Sequence, residues 1–583
     1  LKDGGPIIGV QIENEFGHCG GLTGDAGEAH MKRLEKMARE TGFDVPLYTA
    51  TGWGGAVTAG LLPVMGGYCE APWDPRITEI EPSGNYVFTY ERNDHAIGCD
   101  FGLGEGITFD MTKYPYLTAE LGGGLQVTLK RRPIAQPKDI GAMSLAKMGS
   151  GCNLLGYYMY HGGQNPEGKL TTLEENIATG SLNDMSIKNY DFRAPLGEYG
   201  LPNGTYGEIK LYSLFAHDFG EFLASTETDL PESNPITPEN LSDLRTSWRY
   251  KECEKCGKKR GFVFVNNYQR RRKMAGHKNV VLASTEKSGA DIQFPAIDVA
   301  DKDFFFLPFN MKVADGLLKT SLATPLCVLN NQRKVYVFYS AAKPVGSLAE
   351  KDSSVCSAKD ASVSLYQFEG EVPDCDIVTL SREDALNAHK VSANGKEYLV
   401  VTDSVLFQNN QDGKTELEFE DCKKISFKAF PELEKVPEGF SAKKCVCGFT
   451  VYTFDQDAAE SPKVSCQKIS EDEKTAVYKI SVESWQNGLD DLFIDIGYAG
   501  NCARLYENGK LIDDGIFVGE NYPWSIGLKR YGKNAHDFTL EIDALKKDAP
   551  IFIEEWPDFA GQGSLKKVNG IKARAFVKIS AQL

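Results

Sequence analysis

Two glutamates, Glu15 and Glu120, each end a short apolar run of the sequence. Glu15 follows Ile7–Ile12, and Glu120 follows Tyr116-Leu117-Thr118-Ala119. If both runs are strands of one parallel sheet, both carboxyl groups lie at its carboxyl edge. Two carboxyl groups about 5–5.5 Å apart can hydrolyse a glycosidic bond with retention, because one protonates the leaving oxygen and the other attacks the anomeric carbon. Spacing alone does not select this chemistry, since an acidic residue that ends a strand is usually a solvated loop residue.

The elements that would position these glutamates alternate between strands and helices up to about Ala224. Short apolar runs predict strands at Ile7–Ile12, Pro46–Ala50, Leu61–Met65, Tyr116–Glu120 and Asn153–Tyr160. Amphipathic stretches predict helices at Gly27–Thr41, Lys138–Met148 and Glu208–Leu223. This order indicates β/α units around a parallel sheet, and five strands are too few to close an eight-stranded barrel.

The first motif, Gly4-Gly5-Pro6-Ile7-Ile8-Gly9-Val10-Gln11-Ile12-Glu13-Asn14-Glu15-Phe16, resembles the signature of glycoside hydrolase family 35. The resemblance implies a (β/α)8 TIM barrel and β-galactosidase as the main activity. It implies that Glu15 is the acid/base at the end of the fourth barrel strand. Asn14 would bind the 2-hydroxyl of the sugar, and Glu13 is a further predicted substrate-binding residue.

The second motif, Tyr116–Gly124, is similar to the seventh barrel strand of that family, which makes Glu120 the nucleophile. Leu121 and Leu125 stand where the family often has an aromatic residue and a Trp. This difference concerns the wall of the sugar subsite and leaves the predicted nucleophile in place.

Two further segments resemble the end of the barrel. Tyr157–Asn165 is similar to the eighth strand, on which Tyr158 would orient the nucleophile, although a core aromatic is an open alternative. Asn189–Leu196 is similar to the closing segment, where Phe192 replaces a Tyr that contacts the sugar in many relatives. The hydrogen bond that this Tyr makes to the sugar is therefore either lost here or supplied by Tyr190.

Several loop residues after the fifth and sixth strands are left undecided between sugar contact and packing. Trp53 is predicted to bind substrate, and Tyr68, Glu70 and Trp73 are weaker candidates of the same kind. His161 is another, although a lone His is more often structural.

The resemblance also implies three further β/α units before Leu1. The sequence is therefore expected to be N-terminally truncated and to carry strands four to eight of a partial (β/α)8 barrel. An open parallel sheet leaves its edge strand without a partner, so the chain alone is expected to be unstable or inactive.

After about Leu230 the pattern changes to alternating strands with polar turns, which predicts β-sandwich material. The fold class is thus α/β followed by β-sandwich or jelly-roll domains. Predicted domains are residues 1–224 for the barrel part, 225–380 and 381–465 for β-rich accessory domains, and 466–583 for a galactose-binding-like jelly roll. Asn508-Gly509 predicts a hairpin turn, because these residues tolerate positive φ. Tyr522 and Trp524 are expected at a domain interface, with sugar binding as the alternative.

The formal net charge of −17 disfavours nucleic acid and anionic lipid as partners. No apolar run is long enough for a membrane span. Cys253-x-x-Cys256 and Cys445-x-Cys447 have weak zinc-site spacing, and exposed thiols are the alternative. The basic run Gln269–Lys273 is expected to meet acidic residues of another domain. Scattered, reduced-looking cysteines favour a cytoplasmic location.

These features lead to one main hypothesis and two alternatives. The first is a retaining β-galactosidase that acts on β-galactoside oligosaccharides or polysaccharides and needs neither metal nor organic cofactor. The second keeps this machinery for another sugar, such as a β-glucosaminide. The third is a carbohydrate-binding protein without catalysis, against which the presence of Glu13, Asn14, Glu15 and Glu120 argues. Oligomeric state cannot be read from the sequence.

Overall fold

The computed structural model describes most of the chain. Its described residues are 5–92, 107–170, 172–181, 183–254, 257–289, 291–345, 352–411, 414–455, 460–485 and 488–583. A mixed α/β part comes first, and mainly antiparallel sheets follow it. This agrees with the predicted change of pattern after residue 224.

The first part is built on a parallel sheet with strand order β1-β2-β3-β4-β6, to which β7 is added beside β4. Its elements are β1 Val10–Asn14, α1 Gly24–Glu40, β2 Leu47–Ala50, β3 Leu62–Gly67, β4 Tyr116–Gly122, β5 Arg131–Arg132, α2 Pro137–Gly149, β6 Cys152–Leu154, β7 Tyr157–Tyr158 and α3 Gly204–Ala224. The short β5 lies outside this sheet. The predicted parallel strands and the three predicted helices are confirmed, with shifted bounds.

Two of the predicted strands differ from the structure. The first strand begins at Val10, and Ile8 before it is 86% exposed. The run Asn153–Tyr160 forms two short strands, β6 and β7, that both pair with β4. Gly156 separates them, because its N–H donates to the Thr118 carbonyl and a Cβ there would lie 2.4 Å from that oxygen.

The capping residues and the apolar residues of α2 and α3 explain where these helices begin and how they pack. Gln136 and Asp139 form a capping box at the start of α2, with Pro137 in the first turn. Asn203 caps α3 by accepting a hydrogen bond from the Thr205 N–H. Both helices are apolar on several sides because they lie between the parallel sheet and an antiparallel sheet, whose Phe262, Phe264 and Phe306 share their core.

Four larger sheets of mainly antiparallel strands come first in the later part of the described chain, and in the second of them Val335–Ser340 and Asp376–Leu380 pair in parallel. Their strands in spatial order are Glu227–Asp229, Arg245–Glu252, Lys259–Asn267, Asp303–Val313, Gly316–Ser321 and Tyr366–Glu369; Ala323–Leu329, Val335–Ser340, Asp376–Leu380 and Ser354–Ser357; Ala388–Ala393, Lys396–Val401, Ser426–Phe430, Thr450–Phe454 and Phe440–Lys444; Val405–Gln411, Lys414–Asp421, Lys567–Gln582, Asp491–Ala499 and Trp524–Gly527.

A fifth sheet of five strands packs against the last of these. Its strands are Val464–Glu471, Thr475–Val482, His536–Asp543, Cys502–Glu507 and Lys510–Ile516. The two sheets share one apolar core and form a β-sandwich, here called the C-terminal sandwich. The predicted hairpin is confirmed, since Asn508 and Gly509 have φ angles of 51° and 78°.

Smaller pairings complete the described strands. They are His277–Val280 with Ile297–Val299 and Lys343–Pro344, Leu545–Lys546 with Ser564–Leu565, Phe552–Ile553 with β5, and Gly163–Gln164 with Asn189–Tyr190. The short helix Arg382–Leu386 lies among the antiparallel strands. The predicted domain bounds remain predictions. The strand Lys414–Asp421, from the predicted third domain, pairs with Lys567–Gln582 of the predicted fourth domain.

A buried ionic cluster joins the α/β part of the chain to Arg270 and Glu554, which both come from the later part of the sequence. Arg270 contacts Glu70 at 3.1 Å, Asp139 at 3.3 Å and Glu554 at 2.5 Å. Arg131 also contacts Glu70, at 2.9 Å. The expectation that the basic run meets acidic residues elsewhere is confirmed.

No helix among the described residues is long and apolar enough to cross a membrane.

The central arginine of this cluster gives a stability prediction. Arg270→Met removes the shared cation and leaves buried carboxylates without it, so the free energy of unfolding is expected to fall by about 3–5 kcal/mol. Arg272→Met is the matched control, because Arg272 is 37% exposed and pairs with Glu79 at the surface. The control is expected to change stability by at most about 1 kcal/mol. Urea unfolding of both variants measures the difference, and equal effects would contradict the assignment.

Candidate active site

Glu15 lies just beyond the carboxyl end of β1. Its N–H donates to the carbonyl of Ala50, the last residue of β2, at 2.9 Å. Its φ angle is 50°, and its carbonyl accepts hydrogen bonds from the N–H groups of His18 and Cys19. The chain therefore turns at Glu15 and holds this half-buried residue at the carboxyl edge of the sheet.

Glu120 lies near the carboxyl end of β4, in register with Gly66 of β3. Its Oε1 accepts a hydrogen bond of 2.9 Å from the hydroxyl of Tyr68, a buried residue just after β3. The carboxyl ends of β1 and β4, two strands of the same parallel sheet, thus bring both glutamates to one edge. Tyr68, which the sequence left undecided, is placed against Glu120.

Two glycines lie against the two glutamates, and Gly52 leaves the space in which the Glu15 carboxyl group lies. A Cβ on Gly52 would be 2.7 Å from Oε1 of Glu15, and a Cβ on Gly66 would be 3.5 Å from Cβ of Glu120. The Gly66 N–H donates to the Gly52 carbonyl, so the two glycines lie side by side. Sequence reasoning did not single out Gly52. The glycine-rich stretch Thr51–Gly55 after β2 is a signal for it, because glycines often occur where another part of the chain approaches the backbone closely.

The two glutamates are electrostatically linked. Burial and the neighbouring charge of Glu15 raise the pKa of Glu120 to about 8, and the Tyr68 hydrogen bond opposes this rise. Burial and a hydrogen bond with Glu15 raise the pKa of the Cys19 thiol to about 12. Cys19 therefore stands beside the pair as a neutral thiol, and sequence reasoning did not single it out.

Three aromatic rings pack beside Glu120. Trp53 is 9% exposed, and its ring centroid lies 6.3 Å from that of Tyr68 and 5.6 Å from that of Trp73. Tyr68 and Trp73 meet edge to face at 5.0 Å. These contacts show packing of Trp53 and Trp73 around Tyr68, and sugar contact by Trp53 stays a prediction.

A second aromatic group lies on the other side of β4. The hydroxyls of Tyr158 and Tyr190 are 2.5 Å apart, and the rings of Tyr190 and Phe192 are 4.1 Å apart. Burial first, then the Tyr190 hydrogen bond and the charge of Glu120, raise the pKa of Tyr158. The structure therefore brings Tyr158 near Glu120 and places Tyr190 where it supplies a hydroxyl beside Phe192.

The remaining predicted site residues lie elsewhere or have other partners. The Glu13 carboxylate contacts His30 of α1 at 2.7 Å, and Asn14 is exposed and accepts a hydrogen bond from Gln11. Glu70 belongs to the buried ionic cluster. His161 contacts the carbonyl of Gly162 through Nδ1.

The described residues contain no cluster of three His, Cys, Asp or Glu side chains with metal-binding geometry. Cys256 of the predicted zinc pair lies outside the described residues. Cys445 and Cys447 lie next to each other, and burial and the neighbouring Cys447 raise the pKa of Cys445.

Sequence comparison covers the segment that holds this site. Residues 1–214 match the sequence model described as Glycosyl hydrolases family 35. The matched residues are here called the family 35 segment. The family 35 segment thus includes Glu15, Tyr68, Glu120, Tyr158 and Phe192.

Two plant proteins resemble the family 35 segment. Beta-galactosidase 10 of Arabidopsis thaliana is 26% identical over 209 residues, which are 36% of this chain and 22% of that protein. Beta-galactosidase 6 of Oryza sativa subsp. japonica is 31% identical over 201 residues, 34% of this chain and 18% of that protein. The chain therefore spans about a fifth of the length of these relatives.

One solved structure has only a weak likeness. The GH31 alpha-xylosidase from Xanthomonas citri aligns with 61% of this chain and 38% of its own, at 11% identity and a TM-score of 0.12. This likeness bears on neither fold nor function.

The raised pKa of Glu120 gives a prediction that needs no turnover. The pKa is about 8 in the folded chain and near the ordinary value of 4.5 after unfolding. The folded state therefore loses stability as the pH rises from 4.5 to 8, whereas below pH 4.5 both states hold the proton. Glu120→Gln removes this loss, so the variant is expected to gain stability over the parent as the pH rises.

Thermal unfolding midpoints of parent and variant between pH 4.5 and 9 measure this gain. Glu28→Gln, at an exposed position of α1, is the control and is expected to show no such trend. A Glu120→Gln difference that shrinks with rising pH would contradict the assigned environment.

Proposed function

We propose that this protein is a retaining glycoside hydrolase that removes terminal β-galactosyl residues. The observation that carries the proposal is the placement of Glu15 and Glu120 side by side at the carboxyl edge of the parallel sheet within the family 35 segment. The names of the two plant relatives support galactose as the sugar. The substrates proposed are β-galactoside oligosaccharides or polysaccharides.

The proposed reaction proceeds by two displacements. The Glu120 carboxylate attacks the anomeric carbon while Glu15 protonates the leaving oxygen, which breaks the glycosidic bond and forms a galactosyl-Glu120 ester. Water then loses a proton to Glu15 and attacks the same carbon, which releases galactose and restores Glu120. Two adjacent carboxyl groups support retention, since inversion needs a gap of about 6.5–9.5 Å to admit water between them.

The surroundings of the pair support these roles. Burial and the charge of Glu15 raise the pKa of Glu120 to about 8, so the two neighbouring carboxyl groups hold one proton between them at neutral pH, and the reaction requires that proton on Glu15 when the leaving oxygen departs. The Tyr68 hydroxyl donates to Glu120 and favours the negative charge there, as the attacking group needs. Tyr158 and Tyr190 offer further hydroxyls on the opposite side of β4.

The proposal also covers the fold of the parallel sheet and of the C-terminal sandwich. The sheet from β1 to β7 corresponds to strands four to eight of a (β/α)8 barrel, and the C-terminal sandwich to a jelly roll. The parallel strand order and the acidic residues at the carboxyl edge support the barrel assignment. Among the described residues, β1 pairs on one side only.

The open side of β1 leads to a prediction about the chain by itself. The 583-residue chain is expected to hydrolyse p-nitrophenyl β-D-galactoside at least about 100-fold more slowly than a full-length relative, because part of the sugar pocket would come from elements beside β1. Release of p-nitrophenol at matched enzyme concentration measures the rate. Turnover equal to that of the relative would contradict the expectation.

The roles of the two glutamates are separated by azide rescue, in whichever form of the protein has turnover. Glu120→Gly and Glu15→Gly are each expected to lower kcat with a natural β-galactoside by about 10²–10⁴-fold. With an activated aryl β-galactoside, azide attacks from the vacated Glu120 side and gives the α-galactosyl azide. In Glu15→Gly, azide attacks the galactosyl-Glu120 ester and gives the β-galactosyl azide.

Nuclear magnetic resonance of the products identifies each anomer. Glu28→Gln is the control and is expected to keep parent turnover and to form no azide product. Exchanged anomers would reverse the two roles, and unchanged turnover in both variants would remove the proposed function. The same assay with β-glucosaminides tests whether the machinery serves another sugar.

A further inference from the structure

A cavity lies between the segment Ser186–Asn203 and the C-terminal sandwich. Its volume is about 360 Å³, which is within the range of about 300–1,000 Å³ that small-molecule sites span. Neither Glu15 nor Glu120 lines it. It is adjacent to the candidate active site, because Phe192 lines the cavity and its ring packs against Tyr190.

Aromatic rings from both parts of the chain line this cavity. Phe192 and Tyr199 come from the family 35 segment, and Tyr522 and Trp524 come from the C-terminal sandwich. The Trp524 ring lies flat against the backbone at Gly515, where a Cβ would be 3.2 Å from two ring atoms. Such rings can stack on the C–H face of a pyranose.

Three buried polar atoms of the lining residues have no hydrogen-bond partner among the described residues. They are Nε1 of Trp524, Nε of Arg193 and Oε1 of Glu198. A buried polar atom that stays unsatisfied destabilises the folded chain. The set combines two N–H donors with a carboxyl oxygen, and sugar hydroxyls match it because each hydroxyl both donates and accepts.

The charges around the cavity favour a neutral ligand. Glu198 is 5% exposed, its Oε2 accepts a hydrogen bond from Asn189, and its nearest cation, Arg530, is 3.9 Å away. Burial and the charges of Asp513 and Asp191 raise the pKa of Glu198, so its carboxyl group is protonated at neutral pH. The Arg193 guanidinium lies 4.5 Å over the ring of Tyr522.

We propose that this cavity binds one neutral hexopyranose unit, stacked on Trp524 and hydrogen-bonded to Arg193 and Glu198. The bound sugar is not cleaved, because the two neighbouring carboxyl groups of the lining are engaged by the protein itself: Asp191 accepts hydrogen bonds from the N–H groups of Arg193 and Glu198, and Oε2 of Glu198 accepts one from Asn189. The choice of galactose as the probe rests on the proposed function, whereas the cavity and its lining do not.

The test is isothermal titration calorimetry of methyl β-D-galactopyranoside with the 583-residue chain carrying Glu120→Gln, which prevents turnover. Adding Trp524→Leu is expected to weaken one binding site by about tenfold or more, through the lost ring contact and N–H bond. Trp556→Leu is the matched control, since Trp556 is 42% exposed, lies outside the cavity lining and is expected to leave binding unchanged.

Arg193→Gln is the second variant, used if circular dichroism shows that Trp524→Leu fails to fold, and it is expected to weaken the same site. A crystal soaked with the same glycoside is expected to show a sugar ring beside Trp524. Absence of binding, unchanged binding in the cavity variants, or ordered water alone in the soaked cavity would overturn the proposal. Azide rescue reports on Glu15 and Glu120 independently, so failure of either proposal is visible by itself.

Discussion

The close approach of two acidic side chains at one sheet edge is the constraint on which the rest of the structure depends. Like charges in a partly buried place repel, and this repulsion together with burial gives Glu120 its raised pKa. The fold permits the approach because Gly52 carries no side chain, whose Cβ would lie 2.7 Å from Oε1 of Glu15. It limits the energetic cost because Tyr68 donates a hydrogen bond to Glu120.

The candidate site also requires that the loops around this sheet edge keep their conformation. The C-terminal sandwich meets this requirement with buried polar contacts: Asp514 accepts hydrogen bonds from the N–H groups of residues 187–189, and Tyr199 donates to Asp513 at 3.0 Å. Arg132 donates to the carbonyls of Asn501 and Phe517. The C-terminal sandwich therefore helps to position Tyr190 and Phe192 beside the candidate active site.

Much of this arrangement was predictable, because it follows from local patterns. Apolar runs and amphipathic stretches predicted the parallel strands and three helices, and the motif around Glu15 predicted the position of that residue. The break at Gly156 was not predictable, since it arises from contact with Thr118 on another strand. The contacts of Tyr68 with Glu120, of Glu13 with His30 and of Asp514 with residues 187–189 were not predictable for the same reason: each partner lies on a different element, and a single sequence does not show which elements meet.

The hydrogen bonds from residues 187–189 to Asp514 span 325–327 positions of sequence. At a synthesis rate of about 5–20 residues per second, these backbone groups wait about 15–65 s on the ribosome before their partner exists. The parallel sheet and its helices can assemble during that interval, but the loop bearing Tyr190 and Phe192 cannot take its final position. Assembly of the site is thus a late event in the life of each new chain, governed by when the sandwich closes.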